Sequence, residues 1–278
     1  MSTTAPCVAG TADPSGLSRI SAWVDNAFND NTALRVYGGD LKGNLWRFDL
    51  DPTASDYMTA YKLTTLVDPS NTPQPITARP ELGEVQGFTV VYVGTGKLLG
   101  TSDMTTKQTQ SVYAIRDDLS TSNETISRSN MVQQSLTPID TATRTTTSNA
   151  VDFTTKMGWF VDLPDSGERV NVDPVLQLGT LVVPSNVPST DSCVAGGYGW
   201  INFFDYRTGS FVAGATANMA STKIAASLVV GINVVQLPGG KVVTIVTTAD
   251  NQQLTQQTPV SPPTVAGRRV TWRELISE

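Results

Sequence analysis

From Asn31 onward the hydrophobic positions fall in short runs and two-residue alternations, broken repeatedly by glycine, aspartate and proline. This is the period of β-strands joined by tight turns. Residues 35–50, RVYGGDLKGNLWRFDL, read as a hairpin. Val36 and Tyr37 open its first strand, and Leu45, Trp46 and Phe48 continue the second. Asp40 to Gly43 makes the bend, with the Asp40 carboxylate accepting turn amides and Gly43 free to take a left-handed conformation. Related units follow. VVYVGTGKLL (90–99) precedes QSVYAIRDD (110–118), and TLVVPSNVP (180–188) precedes GYGWINFFDYRTGS (197–210), where Asp205 to Gly209 forms the turn. KVVTIVTTADNQQL (241–254) is paired with RRVTWRELI (268–276). Four hairpin pairs with unequal insertions suggest a β-propeller more than a solenoid of fixed period.

A few segments depart from this pattern. Leu17, Ile20, Val24 and Ala27/Phe28 recur at helical spacing behind Ser15 as N-cap, which predicts one short N-terminal helix. Residues 51–75, rich in proline and aspartate, read as mostly loop. The Ser/Thr/Asn-rich stretch 119–150 reads as a long surface excursion, and 249–266 as a Gln/Pro loop. The same strand signal flanks each of them, so 17–278 is expected to be one domain, with 1–16 disordered or extended.

Composition narrows the chemistry. The 278 residues include no histidine, which removes Ser-His-Asp and Cys-His catalysis and every His-ligated metal site. Two cysteines, Cys7 and Cys193, are too few for zinc ribbons or iron–sulfur clusters. They could close one disulfide across a very long loop or remain two buried thiols; the sequence favours neither. The net charge of −6, without a basic run, argues against nucleic-acid binding. No stretch reaches the ~18 apolar residues of a membrane span. Residues 1–16 lack the basic-then-apolar order of a secretory signal. The chain is therefore either cytoplasmic or a piece of an exported protein, and its low charge with abundant Thr, Ser, Asn and Gly leans to the second.

At RVYGGDLKGNLWRFDL the chain resembles the signature hairpin of the C-terminal β-propeller of PilC/PilY-type proteins, the type IV pilus tip adhesins and biogenesis factors. ITARPELGE (76–84), VVYVGTGKLL, QSVYAIRDD, GWFVDLPDSGERV (158–170) and GRRVTWREL (267–275) match in the same order. The resemblance implies a modified quinoprotein-like propeller with long loop insertions, forming the C-terminal part of a larger exported protein. It implies an extracellular place at the pilus tip, with minor pilins and a host or abiotic surface as partners. The roles it implies are pilus biogenesis, surface adhesion and twitching motility.

The family resemblance also implies calcium in an Asp/Asn loop before the hairpin, where this chain offers Asp25, Asn29 and Asn31. Their spacing departs from an alternating acidic loop, no glycine stands at the turn position, and Leu34 replaces a closing acid. Asp30 and the asparagines therefore read first as helix caps and turn formers. Asp40, Asp49, Asp117, Asp162 and Asp205 each end a strand or open a turn, where carboxylates satisfy backbone amides, and no catalytic residue is assigned. Trp46, Trp159, Trp200 and Trp272 read as core or inter-blade packing. Arg35, Arg47 and Arg273 read as partners of turn aspartates. Gly94-Thr95-Gly96 lacks the residues of a phosphate loop. Asp205 to Gly209 is similar to a quinoprotein repeat turn without its usual following tryptophan. No cofactor is expected beyond the possible calcium. The leading expectation is thus a non-catalytic scaffold that presents 119–150 as its contact surface. The alternatives are a quinoprotein-dehydrogenase-like enzyme and a carbohydrate- or protein-binding propeller unrelated to pili.

Overall fold

Strands with both faces buried must be covered on both sides, and in this chain other sheets do the covering. The computed structural model describes residues 15–25, 29–123, 126–189, 196–225 and 227–260. Its first sheet is the antiparallel meander β1 (Leu17–Trp23), β2 (Arg35–Asp40), β3 (Asn44–Asp49) and β4 (Ala60–Thr65). The second contains β5 (Glu81–Val85), β6 (Phe88–Gly94) and β7 (Ser111–Asp117). After a hairpin of β8 (Val132–Pro138) and β9 (Thr143–Thr146), β10 (Gly158–Asp162) completes it by pairing with β7. The third is β11 (Val175–Gln177), β12 (Thr180–Pro188), β13 (Gly197–Asp205) and β14 (Met219–Ile224). The last comprises β15 (Val229–Gln236), β16 (Val242–Thr248) and β17 (Gln253–Gln257). These are four blades among the described residues. The innermost strands pack in succession, β1 on β5, β5 on β11 and β11 on β15.

The core lies between the blades. On β6, Val91 and Val93 join Tyr37, Leu45 and Leu63 of the first blade. The alternate positions Val90 and Tyr92 join Leu181, Val183 and Phe204 of the third. On β12, Leu181 and Val183 face the second blade, while Val182 packs with Val229 and Val246 of the fourth. Strand periodicity of two thus assigns alternate residues to opposite interfaces, and so β6 and β12 are apolar nearly throughout.

The bends match the expected hairpins. Asp40 Oδ1 accepts the amides of Lys42 and Asn44, both at 2.9 Å. Its Oδ2 accepts Asn44 Nδ2 at 2.9 Å and Trp46 Nε1 at 3.0 Å. Gly43 has φ +78°. In the third blade, Asp205 Oδ1 accepts the Arg207 amide at 2.9 Å, and Gly209 has φ +70°. A β-carbon on Gly209 would stand 2.4 Å from the Trp159 ring. That indole, on β10 of the second blade, lies directly on the Gly209 backbone and donates Nε1 to the Tyr206 carbonyl at 3.2 Å. The tryptophan missing from the local turn is therefore supplied by the neighbouring blade.

Several expectations are corrected. Residues 17–23 form strand β1, and there is no α-helix among the described residues. The helical spacing misleads because Leu17 and Ile20 are exposed, while Ser21 and Trp23 are the buried pair at strand period. Ala27 and Phe28 lie outside the described residues. The stretch 51–75 contains β4, whose Tyr61 and Leu63 alternate into the core. The stretch 119–150 is only partly a surface excursion. Its β8 pairs in parallel with β10, and its β9 pairs with β14, which joins the second and third blades into one ten-stranded sheet. Apart from Leu136, its inward positions on these strands are polar, Gln134, Arg144 and Thr146, so a hydrophobic pattern does not reveal it. The pairing of 241–254 with 268–276 is also replaced. β16 lies between β15 and β17, the latter inside the expected Gln/Pro loop, and 268–276 lies outside the described residues. Phe211 makes only an isolated bridge to Phe204.

The Trp159–Gly209 contact makes a graded prediction. Gly209→Ala combines a left-handed backbone with a clash against the indole and should cost about 3 kcal/mol in urea unfolding. Gly87→Ala, at φ +82° but in open space, should lose only about 1 kcal/mol. Equal losses at the two positions would remove the contact from the account.

Candidate functional site in the central channel

The innermost strands β1, β5, β11 and β15 enclose a cavity of about 800 Å³. Side-chain hydroxyls fasten its first corner: Ser18 Oγ donates to the Thr77 carbonyl at 2.6 Å, and Ser21 Oγ to the Pro80 carbonyl at 2.5 Å. Just before β11, Asp173 gathers groups from the two preceding blades. Its Oδ2 accepts Arg19 Nη1 from β1 at 2.7 Å, and its Oδ1 accepts the Arg79 backbone amide at 2.9 Å. The Arg79 Nε stands 3.9 Å from the same carboxylate. The side chains of Arg19 and Arg79 are 67% and 44% exposed. Ion pairs this wet contribute little to stability, so the cluster suits contact with a ligand better than it suits holding the fold. Across the cavity, β15 contributes the apolar side chains Val230, Ile232 and Val234.

The fold is held by drier ion pairs between blades. Arg47 on β3 donates Nη1 to Asp117 on β7 at 2.8 Å and Nε to Asp49 at 3.0 Å. Tyr37 donates its hydroxyl to the other Asp117 oxygen at 2.7 Å. Arg47 and Asp117 are each 1% exposed. Burial, opposed by Arg47, leaves the Asp49 carboxyl above its ordinary value, and burial with the Asp117 charge pushes the Tyr37 phenol well up. A second cluster serves the hairpin. Arg144 on β9 pairs with Asp165 at 2.7 Å and Glu168 at 3.1 Å, and lies 3.6 Å over the Trp200 ring. Burial raises the Glu168 pKa against the pull of Arg144. Arg128 ties Asp162 to the Val67 carbonyl of the first blade.

The residues singled out in the sequence do not converge on one site. Asp40 and Asp205 are engaged in their own turns, Asp49 and Asp117 on Arg47, and Asp162 on Arg128. Trp46, Trp159 and Trp200 are buried, as packing requires. Asp25 accepts Trp23 Nε1 at 2.5 Å and Arg35 Nη2 at 2.9 Å. Asn29 and Asn31 are exposed, and Asn31 lines the channel mouth. Asp30 closes an Asx turn onto Thr32, not a helix cap. Among the described residues, no three His, Cys, Asp or Glu side chains stand close enough to hold a metal ion. Cys7, Cys193, Trp272 and Arg273 lie outside the described residues. The channel cluster of Arg19, Arg79 and Asp173 went unrecognised. Arg79 sits inside the matching segment 76–84, but nothing local announces that it meets Asp173, 94 residues away.

Radial blades, turn aspartates, inter-blade tryptophan packing and a polar channel define the class as an all-β propeller. The family model described as the PilY1 beta-propeller domain matches residues 6–149, just over half of the chain. The chain belongs to that family. It is 31% identical over 206 residues to a type IV pilus biogenesis factor PilY1 homolog of Xylella fastidiosa, covering 66% of this chain and 14% of that one. It is 28% identical over 247 residues to the type IV pilus biogenesis factor PilY1 of Pseudomonas aeruginosa strain PAO1, covering 72% and 21%. It thus spans about a fifth or less of these relatives' length. The crystal structure of the Pseudomonas aeruginosa PilY1 C-terminal domain superposes with a TM-score of 0.69 at 21% identity. The overlap covers 89% of this chain and 62% of that one, a likeness of fold.

Two outcomes are expected. Arg47→Met strands two buried carboxylates and should cost about 3–5 kcal/mol in urea unfolding. The hydroxyl and amide of Thr53 hold Asp51 below its ordinary value of 3.8, and those of Thr154 do the same for Asp152. The stability from these turns is present above that value and lost as pH falls through the lower folded values. Asp49 and Glu168, with raised values, act oppositely, their contribution fading as pH rises through the folded pKa. Thermal midpoints should therefore drop below about pH 4. The double variant Asp51→Asn, Asp152→Asn should flatten that drop.

Proposed function

We propose that the chain is the propeller portion of a type IV pilus biogenesis factor. It acts outside the cell at the pilus tip with minor pilins, and supports pilus extension, attachment to a host or abiotic surface, and twitching motility. The observation that carries this reading is the family match across residues 6–149, joined by relatives that are themselves named type IV pilus biogenesis factors. Among the described residues, no helix is long and apolar enough to cross a membrane.

The propeller works without catalysis. In support, Asp40 and Asp205 are engaged in their own turns, Asp49 and Asp117 share the buried Arg47, and Asp162 is held by Arg128, so that no two of the five face each other across an open cleft. Asp25 serves as the partner of Arg35 and Trp23 rather than as a calcium ligand. A calorimetric titration with calcium that gives a binding heat lost in Asp25→Asn would reverse this assignment. The contact surface comprises the exposed tips of the insertions, such as the turn around Ile139 to Ala142, since 132–138 and 143–146 are sheet. Loops on rigid β scaffolds vary freely and carry recognition.

Deleting the gene in a piliated host bacterium should reduce surface piliation, twitching and attachment, with restoration by the wild-type gene. Unchanged piliation and twitching in the deletion strain would overturn the proposal.

A further inference from the structure

The channel combines three features that a mere gap between blades does not need. First, β1 bonds only to β2 and β15 only to β16, so each turns a row of backbone groups, unpaired by any described strand, toward the channel. An open edge is a template for another strand, and proteins normally cover or charge it. β15 has eight residues, VVGINVVQ, none of them charged. Second, the channel exposes aliphatic surface. Ile20 is 51% and Val230 55% exposed, while Ile232 and Val234 also border the cavity but lie half-buried against the core between the third and fourth blades. Third, the opposite wall, where Asp173 and Glu81 balance the charges of Arg19 and Arg79, holds one arginine with open donors. Among the described residues the Arg79 guanidinium makes no hydrogen bond, only the 3.9 Å approach to Asp173, which Arg19 already occupies at 2.7 Å. A planar guanidinium with open donors suits bidentate capture of a carboxylate.

These features select the ligand. A sugar would want an aromatic platform, and among the described residues no aromatic side chain lines the cavity. A free acyl chain would meet the aliphatic wall but leave the strand edge unpaired. An extended peptide satisfies all three, since added strands bind through their backbone and place alternate side chains in pockets. The volume of about 800 Å³ is within the range of ligand-binding cavities.

We propose that the channel is a strand-acceptor site. An extended segment of another polypeptide pairs with the inner edge of β15, seats apolar side chains against Val230 and Ile20, and delivers one carboxylate to Arg79. The site stands on the geometry alone and holds whether or not the chain works at a pilus.

The test uses the purified chain and an end-blocked seven-residue peptide alternating valine and threonine, with glutamate at its centre. Its twin carries glutamine there. Calorimetry should show saturable one-to-one binding of the glutamate peptide, about tenfold tighter than the glutamine twin. Arg79→Gln should erase that difference while leaving the glutamine peptide's affinity unchanged. Arg79→Lys, which keeps the charge but not the fork, should recover only part of it. Hydrogen exchange should slow at β15 on peptide addition. Absence of saturable binding, equal affinity for the two peptides, or protection at the outer strand β17 instead would overturn the site. So would binding of laurate in place of either peptide.

Discussion

Face-to-face stacking of sheets is the constraint from which the rest of this structure follows. Once β6 is covered by the first blade on one side and the third on the other, neither face can be polar without a partner. Val91 and Val93 go one way, and Val90 and Tyr92 the other. Any charge left in such an interface must be matched there, because unpaired burial costs several kcal/mol. Arg47 is placed so that carboxylates from two blades, Asp49 and Asp117, close on it at 3.0 and 2.8 Å. The bends obey the same rule. Asp40 satisfies the amides of its own turn, and the glycine at Gly209 leaves just enough room for the Trp159 ring of the neighbouring blade.

Where a residue's role is decided by its near neighbours, it can be read from the sequence. The hairpin 35–50 was legible because its alternation, aspartate and left-handed glycine lie within a few positions of one another. The pairing of 180–188 with 197–205 was legible for a similar reason, since both are apolar runs ending at strong turns. β1 was not, because an inner strand bordering a channel has exposed aliphatics, and Leu17 and Ile20 then imitate a helical face. β8 and β9 were hidden for another reason. Apart from Leu136, their inward side chains are polar: Gln134 is held by hydrogen bonds and Arg144 by ion pairs, partners that only tertiary structure reveals. The Gln134 amide reaches the Thr208 carbonyl at 2.8 Å, 74 residues away, a contact with no local signature.

The site separates in the same way. The carboxylates that drew notice in the sequence are structural, each absorbed by a turn or an arginine. The residues facing the channel belong to four different blades and become neighbours only when the blades assemble. Asp173 draws together Arg19 and Arg79, 60 positions apart in sequence, so this channel cluster is a product of the stack. Rigidity is therefore what the fold contributes to function. The family places this scaffold among proteins named for pilus biogenesis.

Native-state hydrogen exchange in low denaturant addresses the stacking claim most directly. If each blade is held by the one beside it, slow amides in β3, β6 and β12 will open together, with one common free energy and one common denaturant dependence. Separate opening of the first blade, at lower free energy than β6 and β12, would contradict the account.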